Sequence, residues 1–254
     1  MKICEDQSAF DWILRGRRPV KSRRSDSPWP GTTISNFMPD VFEAYAKIFH
    51  RLEANYQWID SPLSDEEIKI LQLPNCTPVR RLIERLRTKE EHVRVRWADA
   101  AAVLGLPFAP ELSDEWFRSR LEPGCWARFL WGPGEGYLES DEYAELNTIL
   151  TPGEKSVPCF FRLPEIPFVA TDQELLFEGM MNEVTEIPTA TNWKTPEYWW
   201  PSSRGWCVCS EYDHSYTFLG SSREVISEIL GNDLLEAIEI TPETRLDYCA
   251  PIPA

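Results

Sequence analysis

Short alternating runs and short helical runs follow one another irregularly along this chain, and no spacing between them recurs. Phe42, Ala44, Ala46, Ile48 and His50 fall on one side of a period-2 pattern, with Glu43 and Lys47 on the other. This predicts a strand, although Tyr45 and Phe49 blur the alternation and leave a helix open. Ser64-Asp65-Glu66-Glu67 reads as a capping box opening a helix. A second helix is expected from Thr77-Pro78, with Val79, Leu82, Ile83 and Leu86 as its apolar stripe and Arg80, Arg81, Arg85 and Arg87 on a solvated face. Val93–Trp97 alternates as a strand and runs into a helix over 98–104, followed by a helix over 113–121, a strand over 126–131 and a helix over 141–150. Strands are expected near 159–162 and 175–178, then a strand pair over 205–213 and 215–219. Ser221-Ser222-Arg223-Glu224 reads as a second capping box, with Val225, Ile226, Ile229 and Leu230 facing inward, before a last strand over 237–240. Strands and helices mixed without a βαβ rhythm predict an α+β fold: a mixed or antiparallel sheet with short helices around it.

Charge divides the chain. Residues 1–30 carry seven basic groups against four acids, whereas residues 111–254 carry nine against 26. The basic run Arg15–Arg24 is either an arm for an anionic partner or a partly mobile terminus lying on the protein's own acidic surface. We therefore expect a basic leader over 1–30 and one α+β domain over 31–254, with a helical insertion at 51–92. The net charge of −15 opposes general binding to nucleic acid or anionic membrane and suits a basic protein partner. Seven cysteines without paired spacings, an amino-terminal segment with acids where a signal peptide is apolar, and no long apolar stretch point to a soluble protein of a reducing cytoplasm.

Signatures of chemistry are sparse. The chain has no phosphate-binding Gly-Lys-Ser/Thr loop, no Gly-x-Ser-x-Gly elbow and no His-Glu-x-x-His. Gly132-Pro133-Gly134-Glu135-Gly136 reads as a wide turn, because Pro133 lacks an amide donor and Glu135 would repel phosphate. His-dependent chemistry must use His50, His92 or His214. On a strand, Cys207, Cys209, Glu211 and Asp213 share one side. That side suits zinc, a Cys207 nucleophile with His50 or His214 as base, or small buried thiols on a packed strand; without a second cysteine pair the last is the simplest, and no metal or other cofactor is implied. Trp199, Trp200 and Trp206, with Arg204 between them, form either an aromatic wall for a ligand or a set of core plugs.

The run Trp199-Trp200-Pro201-Ser202-Ser203-Arg204-Gly205-Trp206-Cys207-Val208-Cys209-Ser210-Glu211, followed by Thr217 and Gly220, resembles a family of uncharacterised, mainly actinobacterial proteins. Phe42–His50 and Val95–Ala98 look like its earlier blocks; 125–131 and 176–179 look like later ones. Ser202-Ser203 replaces acidic residues, Ser221 a second glycine, and residues 51–92 an otherwise smaller segment. The resemblance implies no activity; it marks His50, Arg204, Glu211 and Asp213 as polar members of matched blocks.

Two functional readings follow. The first is a non-catalytic acidic interaction protein of the immunity or antitoxin kind, holding a basic protein. The second is a small-molecule enzyme or sensor in which Trp199, Trp200 and Trp206 line a pocket, Arg204 clamps an anion, and His50, Glu211 and Asp213 supply acid–base groups.

Overall fold

A computed structural model describes residues 1–19, 31–54, 66, 69–70, 93–119, 130–153, 157–163, 176–186 and 195–246. The described strands are β1 (Lys2–Ile3), β2 (Ala44–Phe49), β3 (Leu52–Ala54), β4 (Val93–Val95), β5 (Leu130–Trp131), β6 (Pro158–Arg162), β7 (Leu176–Met180), β8 (Tyr198–Pro201), β9 (Cys207–Cys209), β10 (Tyr216–Ser221) and β11 (Ala237–Ile240). The described helices are α1 (Asp11–Gly16), α2 (Trp97–Val103), α3 (Asp114–Ser119), α4 (Ser140–Leu150) and α5 (Arg223–Leu230). The fold is α+β.

Two compact units divide the chain: Met1–His50 with Gly134–Ala250, and Arg51–Pro133. In the first, eight strands run in the order β1-β7-β6-β8-β9-β10-β2-β11, every neighbouring pair antiparallel. In the second, β4-β3-β5 form a small antiparallel sheet, accompanied by α2 and α3, whose Trp97 and Phe117 rings stack at 5.0 Å. The part of 51–92 expected to be helical lies largely outside the described residues, including the 64–67 and 77–87 helices and His92. Of 51–92, the described residues are β3 with its flanking Arg51 and three helical positions, 66, 69 and 70.

Both faces of the large sheet are buried, which explains why the alternation in β2 was blurred: all six of its residues are buried. One face carries Ala44, Ala46, Ile48, Phe161, Trp199, Val208 and Leu219, closed over by Tyr143, Leu146 and Ile149 of α4 and Ile226 and Ile229 of α5. The other carries Tyr45, Tyr198, Trp200, Cys207, Cys209, Tyr216 and Phe218, closed over by Phe10, Ile13, Ile34, Met38 and Leu246. Successive strand residues point to opposite faces, so Trp199 and Trp200, adjacent in sequence, belong to different cores.

Residues 1–19 of the expected leader belong to that second core, while 20–30 lie outside the described residues. Lys2–Ile3 pairs with β7, and Phe10 and Ile13, three residues apart on one face, are 4% and 0% exposed. The segment holds its place because its apolar side covers a sheet face. Helix α5 starts one residue later than its capping box suggested: Ser221 ends β10, and the Ser222 side chain accepts the Val225 N–H at 3.4 Å. Of its expected inward residues, Ile226 and Ile229 are buried, Val225 is half-buried and Leu230 is exposed. Among the described residues no helix is long and apolar enough to cross a membrane.

Replacing Trp199 by alanine should cost about 3–5 kcal/mol in urea unfolding, the usual penalty for deleting a fully buried indole. A loss below about 1 kcal/mol would show that this ring is not part of the core.

Candidate functional site

His50 ends β2, and its ring is 1% exposed. Nδ1 lies 2.6 Å from the Gly134 carbonyl and Nε2 lies 2.9 Å from Thr217 Oγ1. Burial pushes the imidazole down to about 4, so it is neutral at neutral pH. A carbonyl only accepts; Nδ1–H therefore donates to Gly134, and Nε2 must accept the Thr217 hydroxyl proton. Thr217, its hydrogen thus engaged, accepts from Ser210, 2.8 Å away. The result is a directed chain from Ser210 through Thr217 and His50 to Gly134. Hydroxyl, imidazole and carbonyl stand here in the order of a nucleophile, its base and the group that orients it. Thr217 is 0% and Ser210 2% exposed, however, and a substrate has no route to either oxygen. The chain is a satisfied polar network inside the core.

Gly136, in the glycine-rich segment, braces the end of this network. Gly136 N–H donates to the His214 carbonyl at 2.8 Å, and the Thr195 hydroxyl donates to the Gly136 carbonyl at 3.0 Å. Gly136 has φ +72°, and a Cβ there would lie 2.6 Å from Tyr212 Cα, so no other residue fits without movement.

Glu211, Asp213 and His214 sit in the turn between β9 and β10. The Glu211 carboxylate accepts the Asp213 N–H at 2.9 Å, yet burial, which outweighs that bond, raises it to about 7. His214 stacks on Tyr216 at 4.9 Å and meets the edge of Phe37 at 5.2 Å. Burial, reinforced by the nearby Lys47 charge, lowers it to about 4. Its Nε2 stands 3.8 Å from Glu211 Oε2, but the imidazole carries no charge at neutral pH, so the two do not form an ion pair. Asp213 is exposed. The structure thus places Glu211 and Asp213 on one turn, apart from the His50 chain: His50 and Thr217 project to the α4–α5 side of the sheet, Tyr216 and Lys47 to the other.

Trp199 and Trp200 are 0% and 1% exposed, and Trp206 is 6% exposed. They are core plugs on two faces and do not make a wall. Arg204 is exposed, together with Ser202, Ser203 and Gly205 of the same loop. Cys207 and Cys209 share the face opposite the His50 ring, and burial raises both thiols well above their ordinary range. Cys159 is likewise pushed up to about 12. Such thiols stay protonated and unreactive. No group of His, Cys, Asp and Glu suited to a metal occurs among the described residues.

Sequence reasoning missed the fully buried Lys47, whose Nζ lies 4.1 Å from the Tyr216 ring centre, and the half-buried Arg162–Glu197 ion pair. Each is one charge in an apolar run, which pattern alone reads as solvent-facing. It also missed the surface of α4 and α5. The two helices pack together, with Asn232 Nδ2 donating to Glu145 at 2.7 Å. Asp141, Glu224, Glu228 and Asp233 are exposed there, and Glu139 and Glu145 half-buried. From Glu139 to Leu150 there is no lysine or arginine, and from Ser222 to Ile240 only Arg223, whose guanidinium is held by Glu239 at 3.1 Å. The signal lay in the acidic bias of the carboxy-terminal half. No family model, curated protein or solved structure matches the chain.

The shifted groups give the pH dependence of stability a definite sign. Folded His50 binds its proton only near pH 4, whereas unfolded histidine does so near 6.5. The unfolded state therefore holds more protons between those values, and stability falls as pH drops from 6.5 to 4, by roughly 3 kcal/mol for a group this buried. Glu211 acts oppositely. Its folded form keeps the proton up to about 7 against 4.5 unfolded, so it destabilises as pH rises through that window. Thermal melts should show Glu211→Gln equal to wild type at pH 5 and more stable at pH 8; a variant less stable at pH 8 would contradict the burial of this carboxylate.

Proposed function

We propose that the protein is a non-catalytic binding module of the immunity or antitoxin kind, which holds a basic protein partner against the outer surface of α4 and α5. The observation that carries this reading is the one-signed charge of that surface: exposed Asp141, Glu224, Glu228 and Asp233 with a single arginine already engaged by Glu239. Acids of one sign on neighbouring helices raise the field in front of them and speed encounter with a cationic surface, in a salt-dependent way. Burial of the alternatives supports it. The indoles offered as pocket walls fill the two cores, and the hydroxyls beside His50 are closed to substrate, so the groups suggestive of an enzyme or sensor serve packing.

Copurification from the native host tests this with wild type and an Asp141→Lys/Glu145→Lys/Glu224→Lys/Glu228→Lys variant run in parallel. The expected result is a partner of basic isoelectric point that wild type retains at low salt, releases above about 0.5 M salt, where the screening length falls to a few ångströms, and that the variant does not recover. A partner recovered equally by both proteins, or none by either, would refute the reading.

A further inference from the structure

Arg204 combines three observations that its sequence position does not explain. It has φ +58° and is the non-glycine residue in the left-handed region among those described, although Gly205 stands next to it. The β8–β9 loop closes with the Arg204 N–H on the Pro201 carbonyl at 2.8 Å, and the residue ending such a loop is ordinarily glycine or asparagine. The side chain is exposed, and its guanidinium lies 5.3 Å from the centre of the Trp12 ring. No carboxylate of the described residues pairs with it, whereas Arg15, Arg18, Arg162 and Arg223 each hold one. Arg17, also without a carboxylate, donates to the Tyr198 hydroxyl at 3.1 Å, whereas the Arg204 guanidinium rests on an aromatic face. The Trp12 indole N–H, in the ring beneath it, also makes no hydrogen bond.

A left-handed backbone kept on an arginine at a loop tip, where glycine would adopt it without strain, points to a use for the side chain that occupies it. Stacking on an indole fixes the plane of a guanidinium and leaves its donor edge open for a planar, two-oxygen acceptor. We infer that Arg204, seated on Trp12, is an anchor for a carboxylate side chain on a partner protein. A net charge of −15 opposes a polyanion such as nucleic acid but bears only weakly on one carboxylate in an otherwise neutral segment, since screening confines the field to about 8 Å at physiological salt. Trp12 belongs with α1 on the sheet face opposite α4 and α5, so this anchor is independent of the acidic surface, and either can fail without the other.

The test is a titration of isotope-labelled full-length protein, followed through the Arg204 Nε–H and Trp12 indole N–H resonances. The probes are a short capped peptide with one glutamate among glycines, its glutamine analogue and a thymidine decanucleotide. Saturable shifts of both signals are expected with the glutamate peptide alone, about threefold or more weaker in Arg204→Lys, which has no fork to offer, and absent in Arg204→Gly. Because glycine relieves the backbone, Arg204→Gly should melt about 2–4 °C higher than wild type while losing the response. Equal shifts with the glutamine peptide, a response to the oligonucleotide in place of the peptide, shifts that survive in Arg204→Gly, or a lower melting temperature for that variant would each overturn the assignment.

Discussion

Two-sided burial of the central strands governs the rest of this structure. An antiparallel sheet usually leaves one face to solvent, but here α4 and α5 cover one side and the segment 1–19 with α1, Ile34 and Met38 the other. Each residue of β2 and β10 is therefore buried whichever way it points. A polar side chain on these strands must then be satisfied inside the protein or cost several kcal/mol. His50, Thr217 and Ser210 meet that condition by passing hydrogen bonds in one direction to a backbone carbonyl, and the Lys47 ammonium lies against the Tyr216 ring.

Among the described residues the same constraint absorbs groups that suggest catalysis by type: His50 and His214 are held neutral, Cys159, Cys207 and Cys209 protonated, and Trp199 and Trp200 packed on opposite faces. The periphery of the first unit differs between its two sides. The α4–α5 layer presents acids with one arginine, whereas on the α1 side Arg15 and Arg18 are paired with Asp11, Asp40 and Glu243 and Arg204 stands over the Trp12 ring.

Much of the fold was legible in the chain because the signals are local. The apolar side of β2, the helix at Ser140–Leu150 closed by Gly153, the pairing of β9 with β10 and the last strand all depend on periodicity and turn residues within a few positions. The start of α5 slipped by one residue because Ser221 and Ser222 can each serve as an N-cap and Glu224 favours Ser221, and only the pairing of Ser221 with Ala44 in the sheet assigns it to the strand. The site was less legible. Trp199 and Trp200 read as a cluster by adjacency, but strand geometry sends neighbours to opposite faces. Nothing local distinguishes a leader that floats from one whose Phe10 and Ile13 close a core.

The amino-acid sequence by itself determined the α+β class, the positions of most of the described strands and helices, and the excess of acid in the carboxy-terminal half, since each follows from the order and kind of neighbouring residues. Only the tertiary structure decided that His50 is a satisfied core residue, that Trp199 and Trp200 belong to different cores, that the segment 1–19 is a structural layer, and that Arg204 faces solvent over the Trp12 ring. Those outcomes depend on which distant segment covers which face, and a strand's two faces look alike until something is packed against them.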